Sequence, residues 1–324
     1  MPESVLGIHH VTAIVGDPQR NVDFYAGVLG LRLVKRTVNF DDPQTYHLYF
    51  GDEEGRPGSI MTFFPWGSAG RRGRQGTGQT AVTSFAVRPE AIGFWVERLV
   101  KRGVAFEGPT RRGDELVLSF RDHDGLMLEI VGHPGAATRG AWAGAGIAEE
   151  HALRGFHAVT LWEERGDATE RLLVDTLGFR AVSETEGTRR FAAGDGGPGT
   201  LVDVRTVGGF LRGLDGVGAV HHVAWRVADD DAELAVRRRV IAAELSPTPV
   251  IDRQYFHSVY FREPGGVLFE LATDVPGFAV DEPAAELGTS LKLPERYEPM
   301  RAQLEQALVP LHLPGSALTT PAGA

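Results

Sequence analysis

One structural module occurs four times along the chain, and no single copy is large enough to fold alone. Each copy opens on a strand, passes through a helix and a turn, and returns as two or three short strands. The first runs from Ile8-His9-His10-Val11-Thr12-Ala13-Ile14 through a helical stretch, Val22 to Leu31. It then continues to Tyr46-His47-Leu48-Tyr49-Phe50 and Ser59 to Phe64. The second opens at Ala81 to Val87, has its helix from Ala91 to Gly103 and closes at Gly125 to Ile130. The third opens at Gly155 to Thr160, continues through Arg171 to Phe179 and ends at Gly199 to Asp203. The fourth opens at Val220-His221-His222-Val223-Ala224-Trp225, passes a helix from Asp231 to Leu245, and closes with Tyr255 to Phe261 and Val267 to Leu271. A copy of about 55 residues buries little core by itself, so the copies must complete one another's sheets.

The expected organisation is module 1 over 1–67, module 2 over 78–133, a linker over 134–151, module 3 over 152–207 and module 4 over 217–275, with an extension over 276–324. Gly135 to Glu149 is rich in Gly and Ala and short of large apolar residues, which marks it as the linker. The extension departs from the repeat. It has one predicted helix, Glu295 to Leu308, followed by a Gly/Ser/Thr/Pro/Ala terminus expected to fray.

The pair His9-His10 recurs as His221-His222, and Glu270 follows the second pair in Val267-Leu268-Phe269-Glu270. Two histidines and one carboxylate are the protein ligands of a non-haem Fe(II) centre with open coordination positions. A ligand set split between the two ends of a chain works only if those ends fold together. Modules 1 and 4 are therefore expected to share one metal-binding cup, and modules 2 and 3 a second, non-catalytic one. Side chains alternate along a strand, so one histidine of each pair should face the cavity. A bare carboxylate in Phe269-Glu270-Leu271 would be costly to bury without a balancing cation.

Bulk properties narrow the partners. The net charge of −10 argues against nucleic acid and anionic membranes, whose phosphates attract basic surfaces. The basic cluster Arg71-Arg72-Gly73-Arg74 reads as a solvated loop. No apolar run is long enough to span a bilayer, and Met-Pro-Glu-Ser-Val-Leu-Gly lacks the order of a signal peptide. With 0 cysteines, a metal must be held by His, Asp or Glu. Both points lead to the expectation of a cytoplasmic protein.

The chain resembles the vicinal oxygen chelate superfamily, which includes glyoxalases, extradiol dioxygenases and the fosfomycin- and bleomycin-resistance proteins. It is most similar to the hydroquinone ring-cleaving dioxygenases. The resemblance is carried by His9-His10-Val11-Thr12, Arg32-Leu33-Val34-Lys35-Arg36-Thr37, Tyr46-His47-Leu48-Tyr49-Phe50 and Arg154-Gly155-Phe156-His157. Its most specific stretch is Asp252 to Phe261, followed by Pro264-Gly265-Gly266 and Phe269-Glu270; Leu287-Gly288 and Leu291-Lys292 add to it. The implied fold is α+β, four βαβββ modules forming two curved-sheet cups.

The implied ligands are His10, His222 and Glu270, the second histidine of each pair. The repeat supports this choice by aligning the single His157 of module 3 with His10. The resemblance further implies His221 as an acid–base group, Arg253 and Tyr260 as contacts to substrate oxyanions, and Thr12 as a contact to oxygen or substrate. His9 is expected to orient its neighbour. The implied cofactor is Fe(II), with Mn(II) taking similar ligands, and the implied substrates are a small aromatic diol and O2. A homo-oligomer is compatible with all of this.

Glu129, His157 and Asp203 form a second candidate set, read as the remnant of a duplicated site now serving packing or hydrogen bonding. His47, His123, His133, His151 and His257 are assigned to structure or surface. The module 1 position equivalent to Glu270 falls near Thr62, a poor ligand. A glyoxalase-like lyase or isomerase would require a fourth protein ligand there, and a drug-sequestering resistance module would have no use for the triad.

Overall fold

The computed structural model describes residues 4–67 and 70–313; the Gly/Ser/Thr/Pro/Ala terminus lies outside the described residues. Four strands come from each module. Module 1 gives β1 (Gly7–Val15), β2 (Arg32–Asn39), β3 (Asp42–Gly51) and β4 (Ile60–Pro65). Module 2 gives β5 (Gln79–Val87), β6 (Phe106–Arg112), β7 (Glu115–Arg121) and β8 (Met127–Gly132). Module 3 gives β9 (Phe156–Glu163), β10 (Arg180–Thr185), β11 (Thr188–Ala192) and β12 (Leu201–Thr206). Module 4 gives β13 (Ala219–Val227), β14 (Ile251–Asp252), β15 (Phe256–Arg262) and β16 (Leu268–Pro276).

These strands build two curved 8-stranded sheets, ordered β14-β15-β16-β13-β1-β4-β3-β2 and β10-β11-β12-β9-β5-β8-β7-β6. The two curved sheets are the two cups that the resemblance implied. In the first sheet β1 and β13 meet antiparallel, joining the strands that carry the two histidine pairs. In the second, β5 and β9 meet the same way. The chain reaches the second sheet and returns through backbone bridges Arg72↔Val217, Arg74↔Leu214 and Thr77↔Arg212, so the basic loop is tied down by its main chain while its arginines are exposed.

The helices are α1 (Pro18–Val22), α2 (Ile92–Lys101), α3 (Asp167–Arg171), α4 (Asp230–Ala242) and α5 (Arg301–Ala307). Asp17 and Asp229 cap α1 and α4, each side chain accepting from a first-turn backbone N–H. In modules 1 and 3 the expected helix widens into a π segment, Asp23–Val28 and Leu172–Thr176. Gly30 (φ 72) and Gly178 (φ 83) then turn the chain in a conformation that favours glycine. The predicted C-terminal helix is shorter than expected. Glu295–Met300 forms a 3₁₀ turn around Pro299, which has no N–H to donate, and α5 starts only after it.

Buried apolar side chains from both sheets join in one large core cluster. Trp225 lies between Phe179 and Phe269, ring centroids 5.2 Å away on both sides, and is fully buried. The extension is fastened to the first sheet by Lys35, whose buried Nζ donates to Asp281 Oδ1 and Glu282 Oε1, both at 2.5 Å, and to the Phe278 carbonyl. None of the described helices is long and apolar enough to cross a membrane.

Candidate metal centre

Three side chains converge where β1, β13 and β16 run side by side. Glu270 Oε2 lies 2.8 Å from His222 Nε2 and 3.1 Å from His10 Nε2, and the two imidazole nitrogens are 3.2 Å apart. Among the described residues this is the one group of three or more His, Asp or Glu side chains arranged to hold a metal ion. All three are buried. Register explains the convergence: β13 pairs parallel with β16 so that Ala224, two residues after His222, sits beside Glu270. Across the β1–β13 seam, Thr12 faces His222.

Burial pushes the Glu270 carboxyl up, but the adjacent His10 and His222 outweigh it and hold the group well below the usual carboxylate range. Ser258 donates to Glu270 Oε1 at 2.5 Å, whereas Oε2 is buried without a hydrogen-bond partner. An orphaned carboxylate oxygen against two imidazole nitrogens is a donor set that fits a divalent cation.

Strict alternation would turn His9 and His221 away from the cup, and here the structure departs from the simple expectation. The pairing steps from Ile8↔Trp225 to His10↔Ala224 and from Thr12↔His222 to Ala13↔Val220. His9 and His221 are the extra residues of two β-bulges, one on each side of the seam, and a bulge re-aims a side chain. His9 Nδ1 thereby reaches His10 Nδ1 at 2.9 Å, and His221 Nδ1 reaches His222 Nδ1 at 2.7 Å. His9 also places Nε2 3.1 Å from the Thr273 carbonyl. Burial lowers the pKa of His9, and that of His221 to about 3, so both imidazoles are neutral.

Tyr260 pairs with Glu270 across β15–β16, and its ring meets His222 edge-on at 5.7 Å. Arg253 lays its guanidinium 5.3 Å over the Tyr260 ring and pairs with Asp41 at 3.1 Å. Burial pushes the Tyr260 hydroxyl well up, so it keeps its proton. Thr12 lies two residues beyond His10 on β1, with its hydroxyl 2.9 Å from Thr62 Oγ1.

The same register arithmetic assigns the fourth position. Thr12 pairs with Thr62 as Ala224 pairs with Glu270, so Thr62 occupies the Glu270 rank of module 1. His47, assigned from sequence to structure or surface, instead lies inside this cup with Nε2 2.8 Å from Thr62 Oγ1. Ser258 was also missed. Its signal was present in Phe256, Ser258 and Tyr260, a period-two series on one face of the strand before Glu270.

In the second cup the register corrects the sequence alignment. Asp203 pairs with Thr160 and Glu129 with Ser84, so the histidine ranks fall on Ala158 and Val82. His157 sits at a bulge between Phe156 and Ala158, making it the counterpart of His9 and His221, not of His10. Arginines face the carboxylates. Arg190 Nε and Nη2 donate to Asp203 at 2.7 and 2.9 Å, and its Nη1 donates to Glu115 at 2.7 Å. Arg112 reaches Glu129 and Glu115, both at 3.1 Å, and His157 Nε2 is 2.8 Å from Glu115 Oε1. This cup also holds a cavity of about 1650 Å³, and none of His10, His222 and Glu270 lines it.

Comparison with known proteins agrees with this architecture. The sequence pattern described as Glyoxalase/Bleomycin resistance protein/Dioxygenase superfamily matches residues 7–130 and 155–271. The chain is 48% identical over 314 residues to "Putative ring-cleaving dioxygenase MhqO" of Bacillus subtilis (strain 168), covering 97% of this chain and 99% of the relative. It is 35% identical over 311 residues to "Chlorohydroquinone/hydroquinone 1,2-dioxygenase" of Sphingobium indicum, covering 94% and 96%. A crystal structure described as that of a "putative dioxygenase" from Bacillus subtilis matches with a TM-score of 0.92 at 46% identity, covering 96% of this chain and 99% of that one.

Proposed function

The chain belongs to the Glyoxalase/Bleomycin resistance protein/Dioxygenase superfamily, and on that premise we propose that it is an Fe(II)-dependent dioxygenase that opens the ring of a hydroquinone-type diol. The observation that carries the reading is the three-ligand face itself. His10 Nε2, His222 Nε2 and Glu270 Oε2 would hold the metal. The fourth rank belongs to Thr62, whose hydroxyl is already engaged by Thr12 and His47. A glyoxalase-type isomerase would need a protein ligand at that position. When bound, ferrous iron supplies Lewis acidity toward a phenolic oxygen and open positions for the diol and O2.

The protein's own part follows from tautomers. A metal-ligating Nε2 leaves the proton on Nδ1, so His10 donates to His9 Nδ1 and His222 donates to His221 Nδ1. His9 then carries its own proton on Nε2, directed at the Thr273 carbonyl, and is spent on orientation. His221 likewise carries its proton on Nε2. That nitrogen has no hydrogen-bond partner among the described residues, leaving it available to donate to the substrate. Arg253, held protonated by its surroundings, and the Tyr260 hydroxyl offer donors to a substrate oxyanion from β15 and the turn before it. Thr12 offers a hydroxyl on the His10 side.

The test is anaerobic reconstitution with Fe(II), addition of a panel of hydroquinones and catechols, and measurement of oxygen uptake. Uptake on hydroquinones supports the reading. Uptake on catechols alone replaces the substrate class, and iron binding without uptake on any diol overturns the dioxygenase.

A further inference from the structure

We propose that His47 is a positioning residue for the reaction in the metal-bearing cup, fixing the direction of a hydrogen-bond chain from Tyr49 through His47 and Thr62 to Thr12 so that the Thr12 hydroxyl points its proton at the bound substrate or oxygen. The role in turnover rests on the dioxygenase reading above, whereas the direction of the chain does not.

The four groups are contiguous. Tyr49 Oη is 2.8 Å from His47 Nδ1, His47 Nε2 is 2.8 Å from Thr62 Oγ1, and Thr62 Oγ1 is 2.9 Å from Thr12 Oγ1. They lie on three adjacent strands, β3, β4 and β1, whose registers Tyr49↔Thr62 and Thr12↔Thr62 bring them into line. The imidazole packs against the Tyr49 ring at 4.0 Å and the Phe64 ring at 4.3 Å, which restricts its freedom to flip.

A neutral imidazole has one donor and one acceptor nitrogen, so its two hydroxyl neighbours must play opposite parts. Burial among His10, His222 and Arg253 keeps His47 in that neutral form. Two directions are then possible. If Nδ1 carried the proton, Tyr49 would have to accept from it and find another acceptor for its own O–H. Tyr49 is buried, and among the described residues His47 is the one hydrogen-bond partner of its hydroxyl. A buried phenol left without an acceptor is costly.

The other direction satisfies every group. Tyr49 donates to His47 Nδ1, His47 Nε2–H donates to Thr62, and Thr62 donates to Thr12. The single unspent proton of the chain is then on Thr12, two residues from His10 on the same strand face. Its acceptor must come from whatever enters the cup. Thr62 therefore has a function at the rank where other arrangements of this fold could place a ligand: it passes on orientation.

The experiment has two arms. In metal-free protein, imidazole ¹⁵N shifts report the tautomer of His47. The Nε2–H form is expected, and an Nδ1–H form or an imidazolium overturns the proposal. In iron-loaded protein, Thr62→Val and His47→Phe should each retain the iron stoichiometry and KM while lowering kcat about 10- to 100-fold. The double variant should be no worse than the poorer single one, because both cut the same chain. Additive losses, or unchanged kcat in the near-isosteric Thr62→Val, overturn it. Should His47→Phe fail to fold, Tyr49→Phe takes its place in the cycle. Wild-type protein that consumes no oxygen on any diol defeats the dioxygenase reading and with it the role in turnover, a result distinct from active wild type with indifferent variants.

Discussion

His221 Nδ1 stands 2.7 Å from His222 Nδ1, although the two residues are consecutive in one strand. The bulge at His221 makes this contact, and the mirrored bulge at His9 makes its counterpart with His10. The two contacts differ in what remains. His9 spends its second nitrogen on the Thr273 carbonyl, while His221 Nε2 has no hydrogen-bond partner among the described residues and is, on the proposed function, free for the substrate.

That difference predicts separable phenotypes. His221→Gln should retain iron and lose about 10²–10⁴ in kcat, the range of a missing general acid or base. His9→Phe should weaken iron binding by about 10- to 100-fold with a smaller loss in kcat at saturating metal. Metal titration and steady-state kinetics on both variants check the assignment, and a reversed pattern refutes it.

Ser258 donates to Glu270 Oε1, leaving Oε2 directed at the histidines. Ser258→Ala should therefore weaken iron binding by about 10-fold or more without removing it. Glu270→Ala should abolish stoichiometric binding, and Arg253→Ala should leave it intact while losing turnover. Iron per chain after gel filtration distinguishes the three.

In the second cup, Arg190 balances Asp203 and Glu115. Arg190→Ala should cost about 3–5 kcal/mol of stability by stranding the buried Asp203 carboxylate, whereas Glu115 keeps Arg112 and His157. The iron stoichiometry of the folded fraction should not change. Loss of iron in well-folded Arg190→Ala would show that the second cup contributes to the metal centre.

Glu163, fully buried at the end of β9, has its pKa pushed up to about 8 by burial and by the neighbouring Glu263. A carboxyl group whose folded pKa lies above its unfolded value stabilises the protein fully below the unfolded pKa, and that contribution disappears as pH rises through the folded one. Tm should therefore fall as pH rises from about 5 to about 8. Glu163→Gln should flatten that decline. A Tm difference between the two proteins that is constant with pH rules the assignment out.

Much of the fold could be read from the repeat, because strand–helix–strand order and apolar alternation recur in every module. The convergence of His10, His222 and Glu270 was accessible for the same reason, since equivalent positions in a repeat come to equivalent places in a sheet. The bulges were not accessible. An extra residue in one strand is defined only against its partner's register, and that partner lies in another module. The same omission aligned His157 with His10 when its rank is that of His9. His47 and Ser258 were missed because each acts through a neighbour on an adjacent strand, a relationship that sequence spacing alone does not display.

The seam between β1 and β13 joins residues more than two hundred positions apart, whereas the second cup is closed by modules adjacent in the chain. During synthesis from the N-terminus, β1 has β4 on one side but must wait with its other edge unpaired until module 4 has left the ribosome, while modules 2 and 3 can already pair. The metal centre is then among the last parts of the molecule to exist. A nascent chain that has folded its second cup still lacks two of the three proposed ligands, His222 and Glu270, until module 4 is made.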